Sequence, residues 1–335
     1  MRISRRQFVK AMAAMSAASM LAACGGNSGS GSSGGKKALT FQIWDVAQKE
    51  GMEAMCAAYT QQHPEVSIEV QVTSWNEYWT KLEAAATSNQ MPDIFWMHTN
   101  ELLKYADNGM LADCSDIVEK DKFSEISLSN AMGSNGTLYA VPKDKDTVGL
   151  VYNKEMFDAA GVAYPDESWT WDDLVSASEK IYAATGKYGY MAYADDQLGY
   201  WNFVYQAGGY ILNEDKTKAG FTQPATEKAM KFYIGLQQND WCPDQTYFAE
   251  TAPGTAFFSE KGAMFLEGDW NILAELQNYP EMVGKWDVAV LPKCPDPESG
   301  DGRATISNGL CYATAASNKN LDTVKDILKF FGSEE

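Results

Sequence analysis

The sequence predicts an α/β fold, and three observations carry that expectation. Stretches of period-two alternation, the mark of strands, take turns with stretches whose apolar residues recur at helical spacing. The 335-residue chain is 45% hydrophobic and 12% aromatic, a folding composition whose length suggests two domains of roughly 150 residues. After residue 24 no apolar run reaches about 18 residues, so no later helix is expected to span a membrane.

The elements follow in order. Leu39-Thr40-Phe41-Gln42-Ile43-Trp44 alternates as a strand, and Met52, Met55, Cys56 and Tyr59 then share a helical face that Pro64 ends. Val66, Ile68, Val70 and Val72 alternate again, which makes a β-α-β unit with parallel strands and a right-handed crossover. A helix is expected over 76–87, a buried parallel strand over 93–97, and a helix ending near Gly109. Residues 138–141 and 147–152 read as strands, and Asn153 caps a short helix that stops at Gly161. Thr170 caps the next helix, with Asp172 and Asp173 in the first turn, where the helix dipole favours acids. Residues 188–193 read as a strand, and Trp201 and Asn202 open a helix. Pro224 starts a helix with Ala229, Phe232, Tyr233 and Leu236 on one face. Strands at 263–266 and 286–291, a Pro/Gly/acid-rich loop at 292–303, a strand within 304–313 and a helix over 321–331 complete the chain.

Residues 1–23 are set aside as a targeting segment. Ser4-Arg5-Arg6-Gln7-Phe8-Val9-Lys10 resembles a twin-arginine export signal, though the general export route stays open. An uncharged Ala/Met-rich stretch follows, and Leu21-Ala22-Ala23-Cys24 looks like a bacterial lipobox, cleaved before a Cys that is then acylated. Residues 24–37 form a Gly/Ser-rich tether with a reach of roughly 20 Å. One acyl chain binds a bilayer only marginally, so a multiply acylated Cys24 is expected. The implied location is the cell membrane, with a lipid-anchored body facing the extracellular or periplasmic side.

The formal charge is −18, from 27 cations and 45 acids. Without residues 1–23 the remaining 23 cations leave −22. Such acidity excludes a nucleic-acid binder, which needs a basic footprint. Only His63 and His98 are present, against a His-rich metal site. Besides Cys24 there are five cysteines without CxxC spacing, which speaks against a disulfide framework or zinc ribbon and leaves room for one or two bridges. Gly133-Ser134-Asn135-Gly136 is a turn rather than a phosphate cradle, and neither GxSxG nor HExxH occurs, so no cofactor or metal is expected.

Seven motifs in order carry a resemblance. They are Met91-Pro92-Asp93-Ile94-Phe95, Tyr105 to Leu111, Leu138-Tyr139-Ala140-Val141-Pro142 with Leu150 to Phe157, Trp169 to Leu174, Gly262-Ala263-Met264, Gly268-Asp269-Trp270, and Ser317-Asn318-Lys319-Asn320. Residues 38–335 resemble the extracellular solute-binding proteins of ABC sugar importers, the family that includes maltose-binding protein. The resemblance implies a two-lobed periplasmic-binding-protein-like fold with a hinge and an interlobe cleft. Lobe 1 would be residues 38–146 plus a return segment at 303–335, and lobe 2 would be residues 147–302. Hinges would lie near Asp146-Thr147 and before Arg303. Relatives usually continue with more lobe 2 helices; either the sequence is cut short or lobe 2 is built with fewer elements, and without those helices part of lobe 2's apolar surface should be exposed. The implied partners are a carbohydrate ligand and the permease subunits of the importer, with the protein itself a monomer.

A neutral sugar needs aromatic platforms for its C–H faces and planar hydrogen-bonding groups for its hydroxyls. Open α/β sheets bind ligands beyond the carboxyl ends of their strands. Trp44, Asp45, Trp75, Asn100, Asp146, Trp201, Asp269, Trp270 and Asn308 are therefore the candidate ligand-binding residues, with Trp270 and Trp201 ranked above the strand residue Trp96. Lys143 and Asp144 belong to the presumed hinge, and Glu267 follows a strand. His98 is expected to be a hydrogen-bonded structural residue, Trp169 and Trp171 to pack, Asp93 to fix a turn, and Tyr152 and Asn153 to shape the hinge. Binding and closure without covalent chemistry is the main reading. A polyamine receptor would suit the acidity and the Trp walls. A secreted glycoside hydrolase would need a carboxyl pair about 5–10 Å apart. A surface adhesion lipoprotein would show an exposed apolar patch and no closed cleft.

Overall fold

The computed structural model describes residues 36–213 and 217–333. The export signal, Cys24 and nearly all of the tether lie outside the described residues.

Two five-stranded sheets organise the chain. The first, in the order β2-β1-β3-β10-β4, takes β1 (Lys37–Ile43), β2 (Val66–Val72), β3 (Ile94–His98), β4 (Val141–Pro142) and, from much later in the chain, β10 (Leu310–Ala313). β1 is parallel to β2 and β3, as the β-α-β reading requires, whereas β10 runs antiparallel to both β3 and β4. The second sheet follows β6-β7-β5-β8, with β5 (Asp146–Asn153), β6 (Tyr188–Tyr190), β7 (Gly262–Gly268) and β8 (Trp286–Ala289). Its fifth strand, β9 (Ser307–Asn308), pairs with the start of β5. Only β6 and β7 are parallel there, so alternation of strand and helix overstated the parallel content. The strand expected over 138–141 shortens to Val141–Pro142, and that within 304–313 divides at Gly309 into β9 and β10. Short helices at Glu125–Asn130, Gln245–Glu250 and Pro253–Phe258 carry too few turns to display a helical period.

Local chemistry explains the elements. Alternating residues of β1 turn Leu39, Phe41 and Ile43 inward, while β3 is buried throughout, as a central strand must be. Asn153 caps its helix by accepting from Met156 N (3.0 Å), and Gly161 ends it in the left-handed region at φ 62°. Thr170 and Asp173 form a reciprocal capping box, with Thr170 N donating to Asp173 Oδ2 at 2.8 Å. In the helix Leu321–Phe331, Val324, Ile327, Leu328 and Phe331 form one stripe against the first sheet.

The apolar interior divides with the sheets. One core joins Leu39, Phe41, Trp96, Tyr312 and Phe331, and two others, built only from residues between 148 and 306, fill the second lobe. Trp169 and Trp171 pack in the second lobe, where Trp171 stacks on Phe232 at 4.4 Å. Asp93 fixes the lead-in to β3 by accepting from Thr40 N at 3.0 Å. Tyr152 and Asn153, expected to shape the hinge, stand at the end of β5 away from its pairing with β9, where Tyr152 packs on Phe157 and Tyr164. Cys56, Cys114, Cys242, Cys294 and Cys311 are all free and buried, so none of the bridges allowed by the sequence forms among them. Val288 and Val290, beside the β5–β8 pairing, expose 48% and 45% of their surface.

Two segments cross between the lobes side by side. Asp146 pairs with Asn308 and Thr147 with Ser307, antiparallel. On the first-lobe side Asp144 Oδ1 accepts from Leu310 N at 2.7 Å. On the other side Asn202 Oδ1 accepts from Ile306 N at 2.9 Å and Thr305 Oγ1 donates to Val148 O at 2.9 Å.

Candidate functional site

A cavity of about 320 Å³ opens between the lobes at this crossing, a size within the usual range for small-molecule sites. The carboxyl ends of β1, β3 and β7 deliver residues to it, as the strand-end rule requires of an open sheet.

Trp44, directly after β1, is the hub of an aromatic cluster. Its ring meets Trp75 at 5.0 Å, Tyr78 at 4.9 Å and Trp96 at 5.1 Å, all edge to face. Such pairs hold a ring in place by about 0.5–1.5 kcal/mol each beyond area burial. Trp75, at the start of the helix Trp75–Thr87, is 40% exposed and lines the cavity with Trp44. Trp96 is fully buried and serves the core, and the Lys143 ammonium lies 4.9 Å over its ring. From the second lobe comes Trp270, on a 3-10 turn after β7. Its indole folds over Gly268, where an added Cβ would lie 2.3 Å from ring carbons, so this approach requires glycine.

Polar groups surround these rings. Asp45 accepts from Ala47 N (2.8 Å) and Gln48 Nε2 (3.0 Å), so it both shapes the turn before the helix Lys49–Gln62 and lines the cavity. Lys143 Nζ donates to Gln48 Oε1 at 2.8 Å and to Asp144 Oδ2 at 2.5 Å. Asp195 accepts from Leu198 N at 2.7 Å, and burial raises its carboxyl above the usual range. Asp146 is pushed up to about 7, first by burial and then by the neighbouring charges of Asp144 and Asp269, against the pull of Lys143. Burial lowers His98 to about 4, so its imidazole is neutral near pH 7; Nδ1 accepts from Asn100 N at 3.1 Å.

Of the nine candidates, Trp44, Asp45, Trp75, Asp146, Trp270 and Asn308 converge on this one cavity. Asn100 and Trp201 line an adjoining cavity of about 440 Å³ that shares Gln197 and Asn308 with the first. Asp269 is turned away: it accepts from Thr147 N at 3.2 Å and lines a separate groove beside β5 and β8. His98, expected to be structural, is hydrogen-bonded and also lines the cavity.

Gln48, Asp144, Asp195, Gln197, Leu198, Asn271 and Leu310 complete the lining. Gln48 follows Asp45 in one strand-end loop and was within reach of the same rule. Asp195 to Leu198 were hidden because β6 ends at Tyr190 rather than near residue 193. The chain then makes a π turn over Asp196–Tyr200 interrupted at Gly199, before the helix opened by Trp201.

A family model described as bacterial extracellular solute-binding protein matches residues 44–335. Among relatives, the diacetylchitobiose binding protein DasA of Streptomyces coelicolor is 25% identical over 97% of this chain and 78% of its own length. An arabinooligosaccharide-binding protein of Bacillus subtilis is 26% identical over 94% of this chain and 74% of its own. Among solved structures, the ABC substrate-binding protein Lmo0181 from Listeria monocytogenes, in complex with cycloalternan, shares the fold. Its TM-score is 0.78 at 24% identity, covering 89% of this chain and 76% of that one. A solute binding protein from Thermotoga lettingae, bound with alpha-D-tagatose, aligns with a TM-score of 0.75 at 25% identity over 89% and 77%.

Proposed function

The chain belongs to the bacterial extracellular solute-binding protein family, and from that premise we propose that it is the carbohydrate receptor of an ABC importer. It captures a sugar or oligosaccharide between its lobes and hands it to the permease subunits. The observation that carries this reading is the composition of the interlobe cavity. Indoles from both lobes, Trp44, Trp75 and Trp270, share it with carboxylates and with the amides of Gln48, Gln197, Asn271 and Asn308. Flat apolar faces and planar hydrogen-bonding groups are what a polyhydroxylated ring calls for. Relatives named for diacetylchitobiose and arabinooligosaccharide support the same ligand class.

The paired crossing at Asp146–Thr147 and Ser307–Asn308 is the hinge of this reading, with residues 38–146 and 303–335 in one lobe and 147–302 in the other. Ligand bound to both walls favours the closed arrangement, because it has partners there that the open form lacks. The action is binding alone, without bond cleavage. The protein works as a monomer at the cell surface, tethered through an acylated Cys24 after export and removal of residues 1–23.

Titration calorimetry with a panel of mono- and oligosaccharides tests the proposal. One tight ligand at unit stoichiometry, with no reducing sugar released, is the expected result. Failure of every saccharide would overturn it.

A further inference from the structure

The cavity walls are unbalanced in charge. Asp45, Asp144, Asp146 and Asp195 line it, and among the described residues no lysine or arginine does. Lys143, whose charge acts on Asp146, is committed to Asp144 and Gln48. That pair accounts for Asp144 and leaves three carboxylates. Asp45 is held by backbone and amide donors, and Asp195 by Leu198 N. Asp146 has neither a hydrogen-bond nor an ion-pair partner for its carboxylate among the described residues. In the same wall Asn308, only 5% exposed, has an Oδ1 without a donor.

A neutral ligand would supply hydroxyl donors to these acceptors and leave the repulsion among the carboxylates in place. A protonated amine supplies three donors and a positive charge together. It is also attracted to indole faces, of which the cavity has three. Four amides line the cavity; a protonated alkyl polyamine has no acceptor for their N–H groups, whereas the hydroxyls of a sugar ring both accept from them and donate to their carbonyls.

We infer that the preferred ligand is a saccharide carrying a protonated amino group, with the ammonium taken up beside Asp146 in the cavity that Asp195 also lines. This rests on the carbohydrate reading above and names its ligand class. N-acetylation removes the positive charge, so an amino sugar and its acetylated form differ in the feature that these carboxylates read.

The test compares ligands of one ring geometry that differ in charge: the β-1,4 disaccharide of glucosamine, its diacetylated form and cellobiose, with glucosamine, N-acetylglucosamine and glucose alongside. Calorimetry is run at neutral pH, with spermidine as the non-sugar amine. The amino form is expected to bind at least about tenfold tighter than its acetylated and neutral counterparts, and added salt should erode that margin. Asp146→Asn and Asp195→Asn, checked for folding by thermal unfolding, should each reduce the margin. Equal or tighter binding of an acetylated or neutral sugar would overturn this inference and leave the carbohydrate reading standing. Binding of spermidine alone, or no binding in this set, would overturn this inference, and failure of the wider saccharide panel as well would overturn both.

Discussion

Asp146 and Asn308 face each other in the antiparallel register of the two segments that cross between the lobes, and both line the cavity. In the proposed mechanism, contact with the ligand and bending of the chain therefore act on the same backbone. The Asn308 side chain lies against Gln197 of the second lobe, with the His98 ring 3.4 Å away in the first. Asn308→Ala is expected to weaken the saccharide by about 1–3 kcal/mol, the cost of a missing buried hydrogen-bonding group. Calorimetry gives the affinity, and small-angle scattering shows whether ligand still compacts the variant. An unchanged affinity would remove Asn308 from the site.

The crossing is fastened on its second-lobe side by Asn202, which is fully buried. Its Oδ1 accepts from Ile306 N, and its Nδ2 donates to Gln197 O at 2.7 Å and Gly199 O at 3.1 Å. Asn202→Ala strands these groups at once. A loss of roughly 2–4 kcal/mol of stability in urea unfolding is expected, since each buried unsatisfied group costs about 1–3 kcal/mol and the site relaxes in part. A loss below about 0.5 kcal/mol, the size of an ordinary surface change, would show that the crossing is held by other contacts.

Trp270 reaches the cavity only because residue 268 is glycine. Trp270→Ala should weaken ligand by about 1–3 kcal/mol, as truncation of an aromatic anchor does. Gly268→Ala keeps the indole but displaces it, so it should reproduce much of that loss. Trp96→Phe, in the core, should leave affinity within about twofold and act on stability instead. If Gly268→Ala binds as tightly as the parent, the placement of the Trp270 ring is not what the ligand reads.

Much of this architecture was legible in the sequence, and the misses share a physical cause. The β-α-β unit, the Asn153 cap, the Thr170–Asp173 box and the helix Leu321–Phe331 follow from local rules: period, capping and amphipathic spacing. The direction of β10 does not, because its antiparallel place beside β3 is decided by a partner more than two hundred residues away. The site divided in the same way. Trp44, Trp75 and Trp270 lie within three residues of a strand's end, so a strand-end rule locates them. Asp195 and Gln197 sit on an irregular turn whose path is set where Gly199 passes close to Tyr193 O and the Tyr233 hydroxyl. Asp269 obeyed the strand-end rule, yet its carboxylate was captured by Thr147 N.

Stability should fall as pH rises through the weakly acid range, and Glu267 is the sharpest source. Its side chain lies in fully buried β7 and accepts from Gly268 N and Asn271 Nδ2, each at 2.9 Å. Burial first, with the charges of Glu275 and Asp195 behind it, raises the carboxyl from 4.5 to about 7, against those two hydrogen bonds. The folded state thus holds the proton more tightly than the unfolded chain. Its contribution is complete below about pH 4.5 and is lost as pH climbs to about 7. Asp146, raised to about 7 chiefly by burial, adds a slope of the same sign. Glu267→Gln keeps an acceptor for both donors and imitates the protonated acid. It should match the parent near pH 5 and exceed it by on the order of 2 kcal/mol at pH 8. Urea unfolding at several pH values between these limits measures the slope, and a variant as pH-sensitive as the parent would exonerate Glu267.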